Sequence, residues 1–336
     1  MPAPADTFAR GDSPQPPHVP VMPDEVVGLV APEAGMVVVD GTFGAGGHAR
    51  LIAPLLGADG LYVGVDRDPS AVARFEAFAA EVAPVPTRFV GAAFPDAFAQ
   101  LAAEGVSADA VILDVGVSSM QLDEVERGFS YAHDAPLDMR MDQSTGTSAA
   151  ELVADVDERE LERILREYGE ERYARRIAGG IVRRRAESPI VRTAELVDVV
   201  LGSIPVAARH APGGHPARRV FQALRIAVND ELGMLDRGLD AALDLLAPDG
   251  RLVVMSFHSL EDRIVKRRFE AWRGTCTCPP GLPVCACGAV TRAEQITRGV
   301  VRPTAEEVAR NSRAAPTRLR AARRVEPPRP VSGGPT

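Results

Sequence analysis

Short apolar runs that each end in a polar residue recur along this 336-residue chain and limit the folds available to it. The runs VVVD, LYVGVD, AVILD and LVVMS end at Asp40, Asp66, Asp114 and Ser256. Short runs with this continuous apolar character are typical of parallel strands that are covered by helices on both faces. The helical patterns between the first three runs fit a βαβα order. The sequence therefore predicts an α/β fold with a doubly wound, mostly parallel sheet.

A long helical stretch separates the third run from the fourth. It opens with Ser148 and Glu151 at the spacing of a capping box, and the last predicted helix begins near Pro216. We expect that helix to break near Gly233 or Gly238. Because the strand pattern then resumes, we predict a helical, substrate-binding subdomain inserted at residues 145–220. It divides the predicted core into residues 18–144 and 221–272.

The two ends of the chain differ from this body. Residues 1–17 contain five prolines and no apolar stretch, so we expect a flexible tail rather than a signal peptide. No apolar run approaches the roughly 18 residues of a membrane-spanning helix, and we expect a cytoplasmic protein with no membrane partner. Residues 273–336 join a cysteine loop to a basic, Pro-rich tail, which we expect to lie along the body or along a ligand.

The charge is distributed unevenly. Residues 1–158 carry 7 basic and 25 acidic side chains, whereas residues 159–225 carry 14 and 8, and the chain from Arg292 onward carries 10 and 4. Basic segments on an acidic body suit a polyanionic partner such as a nucleic acid. The alternative is a compositional bias, because arginine is abundant throughout and Lys266 is the only lysine.

All four cysteines lie in the segment CTCPPGLPVCAC, at Cys276, Cys278, Cys285 and Cys287. Four thiolates could enclose a structural zinc ion, although paired zinc ligands are more often separated by two residues. The alternative is a Pro-rich loop with reduced thiols. Zinc binding stays open here, and we predict no metal at the main site.

The glycine loop after the first run, DGTFGAGGH, bears on the cofactor. A dinucleotide would rest its diphosphate on such a loop, but Asp40 would then lie beside that anion. S-adenosylmethionine removes the conflict, because its amino group and sulfonium are positive and Asp40 favours them. Asp66 is placed to bind ribose hydroxyls. We expect this ligand at the carboxyl ends of the strands, where Asp114 and Ser256 also lie.

Longer segments carry a resemblance to a known family: DGTFGAGGH, GVDRDP, LDVGVSSMQLD, RGFSY, PLDMRMD, YGEERYARRIA, FQALRIAVNDEL and SFHSLEDRIVK. They resemble the ribosomal RNA small subunit methyltransferase H family from about His18 to Arg324. The resemblance implies a Rossmann-like class I methyltransferase that uses S-adenosyl-L-methionine to methylate N4 of a cytosine, at position 1402, in 16S rRNA of the 30S ribosomal subunit. The cofactor contacts that it implies are Gly46, Gly47, His48, Asp66, Phe94, Asp114 and Gln121. Where the family often has Asn-Pro-Arg, this chain has Asn311-Ser312-Arg313.

Three residues are our candidates for the chemistry. Many amino-methyltransferases have an Asp/Asn/Ser-Pro-Pro-aromatic motif at this strand end, whereas Val-Gly-Val follows Asp114 here. We expect Asp114 to accept a hydrogen bond from the amine, Phe257 to stack on the base, and His258 to orient the base or receive a proton. Core packing and a strand-end hydrogen bond are the structural alternatives for Phe257 and His258. Asp138 and Asp142 could line the pocket or pair with Arg140, and we favour the pocket.

The basic segments suggest how RNA is held. Arginines of the predicted insertion could bind phosphates, and a solvated face or a homodimer contact is the alternative. These arginines are Arg172, Arg175, Arg176, Arg183, Arg184 and Arg185.

Other functions stay open at this point: a DNA amino-methyltransferase, an assembly factor that only binds rRNA, and a nicotinamide-dependent dehydrogenase, which Asp40 disfavours. Carbon-5 methylation fits poorly because no cysteine lies near the predicted site. Ribose methylation fits poorly because it typically uses two lysines, and this chain has one.

Overall fold

The computed structural model describes residues 20–209, 214–274, 278 and 289–326. Seven strands of these residues form one sheet. They are β1 (Val37–Asp40), β2 (Leu61–Val65), β3 (Thr87–Val90), β4 (Ala108–Asp114), β5 (Leu246–Ser256), β6 (Ala293–Gln295) and β7 (Arg318–Arg324).

Fourteen α-helices occur in the same described ranges. They are α1 (Pro23–Val30), α2 (Gly47–Leu56), α3 (Ala71–Glu81), α4 (Phe94–Ala103), α5 (Ser119–Asp123), α6 (Ala149–Asp155), α7 (Glu158–Glu167), α8 (Ala174–Glu187), α9 (Thr193–Ser203), α10 (Val206–Arg209), α11 (Ala217–Asn229), α12 (Glu231–Leu245), α13 (Ser259–Trp272) and α14 (Ala305–Arg310). No helix among the described residues is both long and apolar enough to span a bilayer.

The strand order across the sheet is β3-β2-β1-β4-β5-β7-β6. The first five strands in this order are parallel, and β7 runs antiparallel to both of its neighbours. The order reverses between β1 and β4, which is where ligands bind in sheets of this kind. Asp40 is level with Ile112 of β4, so Asp114 lies two residues further along the neighbouring strand. The predicted doubly wound, mostly parallel sheet is confirmed.

Helices cover both faces of the sheet. On one face, Val26 of α1, Ile52 of α2 and Phe78 of α3 join a core that includes Val38 of β1. On the other face, Leu239 of α12 and Phe269 of α13 belong to a second core. These side chains are buried because the strands between them are apolar on both faces, which is the pattern that predicted the fold.

A third core lies among the helices that follow β4. Its buried side chains come from residues between Phe129 and Leu224, and they include Leu161 of α7, Ile177 of α8 and Leu196 of α9. Ser148 caps α6, with its hydroxyl accepting the Glu151 N–H and Glu151 bonding back to the Ser148 N–H. The predicted capping box is thereby confirmed. We propose that this separate core marks the inserted subdomain, and the predicted boundaries at 145 and 220 stay a prediction.

The expected break in the long helix is at neither predicted glycine. The helix is interrupted at Asp230, whose φ of 47° is left-handed and separates α11 from α12. Gly233 and Gly238 both lie inside α12, at positions that leave no room for a side chain. An added Cβ would lie 2.3 Å from the Asp230 carboxylate at Gly233 and 2.0 Å from the Phe94 ring at Gly238.

The basic tail contains a strand that the sequence analysis did not predict. In β7, Leu319, Ala321 and Ala322 are buried in the sheet. Arg320, which lies between them, donates to Asp262 of α13 at 2.7 Å. Arginine-rich composition therefore concealed an interior strand. The predicted N-terminal tail, Cys276, Cys285 and Cys287 lie outside the described residues.

Candidate active site

A cavity of about 550 Å³ lies at the carboxyl ends of β1, β2 and β4. The glycine loop, the segments after β2 and β4, the segment after β5 and the helix α11 all contribute to its walls. Most of the predicted site residues line this cavity: Gly47, His48, Asp66, Phe94, Asp114, Gln121, Phe257 and His258. Asp40 lines it as well. The structure thus brings together residues that are up to about two hundred positions apart in the sequence.

Two residues that we predicted at the site do not line the cavity. Gly46 is the N-cap of α2 with a left-handed φ of 71°, and an added Cβ would lie 2.8 Å from the ring of Phe43. Gly46 therefore allows the loop to turn, and it does not line the cavity. Ser256 is buried, and its hydroxyl donates to the carbonyl of Arg318 in β7 at 3.3 Å. The expectation that Ser256 joins the three acids at the site is wrong, because β7 occupies its side chain.

Asp40 lies at the floor of the cavity and is almost fully buried. One carboxylate oxygen accepts the Thr42 N–H at 3.0 Å, and the other accepts the Tyr62 hydroxyl at 2.9 Å. Burial nevertheless raises the pKa of Asp40 to about 6, because these two donors offset only part of the cost of desolvating the charge.

Asp66 fixes the glycine loop to the loop after β2. Its carboxylate accepts the Gly44 N–H and the Asp68 N–H, both at 2.9 Å. Burial raises its pKa, as it does for Asp40. Each oxygen accepts one backbone hydrogen bond and retains capacity for a second. Asp66 can therefore hold the loop and still accept hydroxyl donors from a ligand in the cavity.

His48 and Asp114 face each other with unsatisfied polar atoms. His48 is buried, and neither of its ring nitrogens makes a hydrogen bond; its Nε2 lies 4.0 Å from Asp114 Oδ2. Burial lowers the pKa of His48 to about 4, so the ring is neutral near pH 7 and the pair is not an ion pair. Asp114 Oδ1 is also buried without a partner, although the side chain as a whole is 32% exposed. Unpaired buried polar atoms are costly, so they mark a place where a ligand completes the site.

The pKa of Asp114 is raised to about 7. Desolvation is the main cause, and the negative charges of Asp40 and Glu261 add to it. Among the described residues, no arginine or lysine pairs with Asp40 or Asp114. A buried carboxyl whose pKa is close to neutral pH can both accept and hold a proton during a reaction.

Phe94 and Gln121 border the same cavity from two helices. Phe94 begins α4, and its ring packs against Gly238 of α12. Gln121 bonds the Ser118 N–H through its amide oxygen and donates to Asp68 Oδ2 at 3.0 Å. These bonds hold the short helix α5 against the loop after β2 and leave one amide hydrogen of Gln121 for a ligand.

Phe257 and His258 form the wall that follows β5. An added Cβ on Gly116, two residues beyond Asp114, would lie 3.6 Å from the Phe257 ring, so this ring stands beside the end of β4. His258 is the N-cap of α13, and its Nδ1 accepts the Glu261 N–H at 3.4 Å. The alternative, strand-end role of His258 is therefore present, and its Nε2 is buried 3.0 Å from Glu261 Oε1 without hydrogen-bond geometry.

The acids of the motif PLDMRMD stabilise the local structure and do not line the cavity. Asp138 forms a two-point ion pair with Arg140 at 2.8 and 2.9 Å. Asp142 accepts the N–H and hydroxyl of Ser144. Neither carboxylate lines the cavity, whereas Met141 does. The preference for pocket lining is wrong for these acids, because local donors satisfy both of them.

The C-terminal segment completes the rim of the cavity. Ser312, Arg313 and Pro316, which lead into β7, line its edge. Arg313 donates to Asp123 of α5 at 2.7 Å, and its N–H is accepted by the Asn311 side chain at 3.2 Å. The residues Ser312–Ala314 form a short 3₁₀ helix that reaches the site.

Known proteins similar to this chain identify its family. A model of the MraW methylase family matches residues 15–325. The chain belongs to the MraW methylase family. A relative from Geobacter sulfurreducens, named Ribosomal RNA small subunit methyltransferase H, is 52% identical over 312 residues, which cover 92% of this chain and 99% of the relative. Relatives of the same name from Symbiobacterium thermophilum and Mycolicibacterium gilvum are 50% and 51% identical, over 90% and 92% of this chain and 95% and 83% of their own.

Solved structures resemble this MraW-family chain more distantly. A putative rRNA-methylase from Clostridium thermocellum has a TM-score of 0.41 at 12% identity, covering 90% of this chain and 95% of its own. The structure of NSun6 from Pyrococcus horikoshii with SFG has a TM-score of 0.42 at 11% identity, covering 91% of this chain and 53% of its own.

Membership in the MraW methylase family confirms the predicted enzyme class. The chain is a methyltransferase, and S-adenosylmethionine is its cofactor. The acids at the floor of the cavity agree with a positively charged ligand, because Asp40 and Asp114 lack a cationic partner within the described part of the chain. Membership in this family excludes one of the three alternative functions, the nicotinamide-dependent dehydrogenase.

Several residues that build the site of this MraW-family enzyme were not predicted from the sequence. Glu261 is buried beside His258, and Arg225 forms a two-point ion pair with Glu231, with both distances 2.8 Å, at the cavity wall. Arg67 and Asn229 link the loop after β2 to α11. All of these lie within quoted motifs, but only their long-range contacts reveal what they do.

Proposed function

We propose that this methyltransferase methylates N4 of a cytosine in 16S rRNA of the small ribosomal subunit. The names and the high identity of the relatives support the substrate, since the similarity extends over nearly the whole chain. The observation that carries the chemistry is Asp114. It is a carboxyl at the end of β4 with a pKa of about 7 and a buried oxygen without a partner, at a cavity that also holds an aromatic wall.

The residues around the glycine loop suit the cofactor. S-adenosylmethionine, when bound, supplies a methyl group on a positively charged sulfonium. Asp40 and Asp114 would balance positive charge in the cavity, and Asp66 would accept hydrogen bonds from ribose hydroxyls. Gly47 would permit close approach of a ligand to the loop, and Phe94 would offer an apolar surface to the adenine.

The opposite wall suits an aromatic amine. Phe257 offers a ring on which a flipped base would stack. Asp114 would accept one N–H of the amine and would take up the proton that the nitrogen loses as it gains a methyl group. A carboxyl with a pKa near 7 is suited to this role, because it is largely ionised at slightly alkaline pH and yet basic enough to hold the proton.

The outer face of the helical subdomain suits RNA. Arg175, Arg176 and Arg183 are exposed and make no hydrogen bond or ion pair within the described part of the chain. They are free to bind phosphates. Arg185 instead donates to the carbonyls of Val153 and Val156, so it is part of the subdomain's own structure. On this proposal the 30S subunit is the partner and the cytoplasm the location, while the homodimer stays a prediction.

A product assay tests the proposal. The protein is incubated with labelled S-adenosylmethionine and, separately, with unmethylated small subunits, free 16S rRNA and duplex DNA. The modified nucleoside is then identified by mass spectrometry. We expect N4-methylcytidine from the small subunits, and none from the same reaction with the Asp114→Asn variant.

Each other outcome contradicts a particular part of the proposal. Label in DNA would favour a DNA amino-methyltransferase. Methylation of another atom of the rRNA would contradict the role of Asp114 as an amine acceptor. Tight cofactor binding without any labelled product, in an assay where the subunits still bind the protein, would favour an assembly factor that only binds rRNA.

A further inference from the structure

A buried carboxylate with one oxygen outside its helix cap stands opposite Asp114. Glu261 is 2% exposed. Its Oε2 accepts the N–H groups of Phe257 and His258 at 2.7 and 3.1 Å, which caps α13. Capping requires only this one oxygen. The other oxygen, Oε1, faces the end of β4, since an added Cβ on Gly116 would lie 3.8 Å from it.

His258 places a hydrogen-bond donor beside this oxygen. Its Nδ1 accepts the Glu261 N–H, so in the neutral ring the proton is on Nε2. Nε2 is buried and lacks hydrogen-bond geometry to any protein atom, although it lies only 3.0 Å from Glu261 Oε1. An acceptor and a donor therefore stand side by side at the cavity wall, and the unpartnered Asp114 Oδ1 provides a second acceptor.

These three groups form a pattern that matches one kind of base edge. An exocyclic amine beside an unprotonated ring nitrogen presents two donors and one acceptor, whereas the carbonyl and N–H of uracil present the opposite pattern. We propose that Glu261 determines substrate specificity by accepting one N–H of the amine while Asp114 accepts the other, and that His258 Nε2 donates to the adjacent ring nitrogen. This inference rests on the proposed function, and it specifies how the same site selects its base.

The neighbouring charges favour a neutral base over a metal ion at this place. Glu231, His258 and Glu261 bring their ligand atoms within 4.8 Å of one another. However, Arg225 binds both oxygens of Glu231 at 2.8 Å, so a cation already occupies that carboxylate. A neutral base with amine donors adds no charge next to Arg225.

The variant Glu261→Gln tests the role directly. Glutamine can keep its oxygen on the cap, and its amide nitrogen then presents donors where Oε1 was an acceptor. We expect kcat/KM with the small subunit to fall about 100-fold, as for the loss of one well-placed transition-state contact, while the Kd for S-adenosylmethionine stays within threefold. The matched control is Glu270→Gln, an exposed residue of the same helix, which should behave like the wild type. Activity of Glu261→Gln within threefold of the wild type would overturn the inference.

A second arm varies the base and needs no variant. Small subunits that carry cytosine, N4-methylcytosine or uracil at the target position are bound to the wild-type enzyme with S-adenosylhomocysteine present. We expect affinity to fall in that order, with uracil at least about tenfold weaker than cytosine. Equal affinity for cytosine and uracil would overturn the inference, even if Glu261→Gln fails to fold.

The two arms also separate this inference from the proposed function. If the wild type methylates no cytosine in the small subunit, the proposed function fails. If the wild type methylates cytosine but Glu261→Gln does so with a kcat/KM within threefold of the wild type, only the role of Glu261 fails.

Discussion

Two clusters of buried polar side chains lie at the same edge of the sheet, and they are satisfied to very different degrees. In the ligand cluster, formed by Asp40, His48 and Asp114, the carboxylates have raised pKa values and several atoms have no partner. In the bridging cluster, formed by Arg67, Asp68, Arg127 and Asn229, nearly every polar atom makes a hydrogen bond within the protein.

The bridging cluster joins the loop after β2 to the segment that follows α5 and to the end of α11. Arg127 is 8% exposed; it donates to Asp68 at 3.1 Å and to the carbonyls of Arg140 and Met141 at 3.0 and 2.8 Å. Asn229 uses both donors and both acceptor positions of its amide. Hydrogen bonds and the nearby Arg127 charge lower the pKa of Asp68 and outweigh desolvation, in contrast to Asp114.

The difference between the clusters indicates a division of roles. Unsatisfied buried groups cost stability, and proteins retain them where a ligand binds. Satisfied networks fix one arrangement of the parts that they connect. The bridging cluster therefore holds the segments that it connects in one arrangement, while the unpaired atoms of the ligand cluster are available to bind cofactor and substrate.

The largest expected effect comes from breaking the bridging cluster. Arg127→Met should lower the free energy of unfolding by about 3–5 kcal/mol, because Asp68 would remain buried without its cation. Denaturant unfolding measures this, with Arg166→Met as the control. Arg166 pairs with Glu162 on an exposed helix face, so its loss should cost at most about 0.5 kcal/mol. Equal losses for the two variants would contradict the contrast between buried and exposed pairs.

Changing the ligand cluster should affect activity instead. Asp114→Asn should reduce kcat about 10²–10³-fold, since the amide accepts the amine poorly and cannot take up its proton. Initial rates at saturating subunits and cofactor measure this. Asp59→Asn, in an exposed turn, is the control and should keep wild-type activity. A kcat within fivefold of the wild type would remove Asp114 from the chemistry.

Exposed arginines that belong to neither cluster should affect RNA binding rather than stability or the chemical step. Replacing the exposed, unpaired Arg175, Arg176 and Arg183 with alanine should weaken subunit binding about 10–100-fold at low salt and reduce the slope of log K against log [salt]. Cofactor affinity should stay unchanged. Replacing Arg184 and Arg185 would be a poorer test, because they donate to carbonyls within the subdomain. An unchanged salt slope would show that RNA binds elsewhere.

The smallest expected effect is a gain in stability rather than a loss. The pKa of Asp114 is raised from 3.8 to about 7, so the folded protein binds more protons than the unfolded chain between these values, and stability falls as pH rises through that window. Without cofactor, Asp114→Asn should be more stable than the wild type at pH 8. We expect a gain of about 1–2 kcal/mol, discounted because the side chain is partly exposed. Urea unfolding at pH 8 and pH 4 should show this gain disappearing at the lower pH; a loss of stability at pH 8 would contradict the account.

The sequence sufficed for those features that depend on local pattern. Apolar runs predicted β1, β2, β4 and β5, and their terminal acids led to the cavity. It did not suffice for β7, where four arginines among seven residues hid an interior strand, or for the interruption at Asp230, whose left-handed backbone no local pattern indicated. The bridging cluster could not be predicted, because its contacts join residues as far apart as Arg67 and Asn229 and no local pattern encodes such pairs.

The position of β7 has a consequence for the newly made chain. This strand is synthesised after β6, yet it lies between β5 and β6, and the residues just before it complete the rim of the cavity. Until β7 has emerged from the ribosome, the edge of β5 is open and the cavity lacks one side. Closure of the cavity therefore depends on a segment that is among the last parts of the described chain to be synthesised.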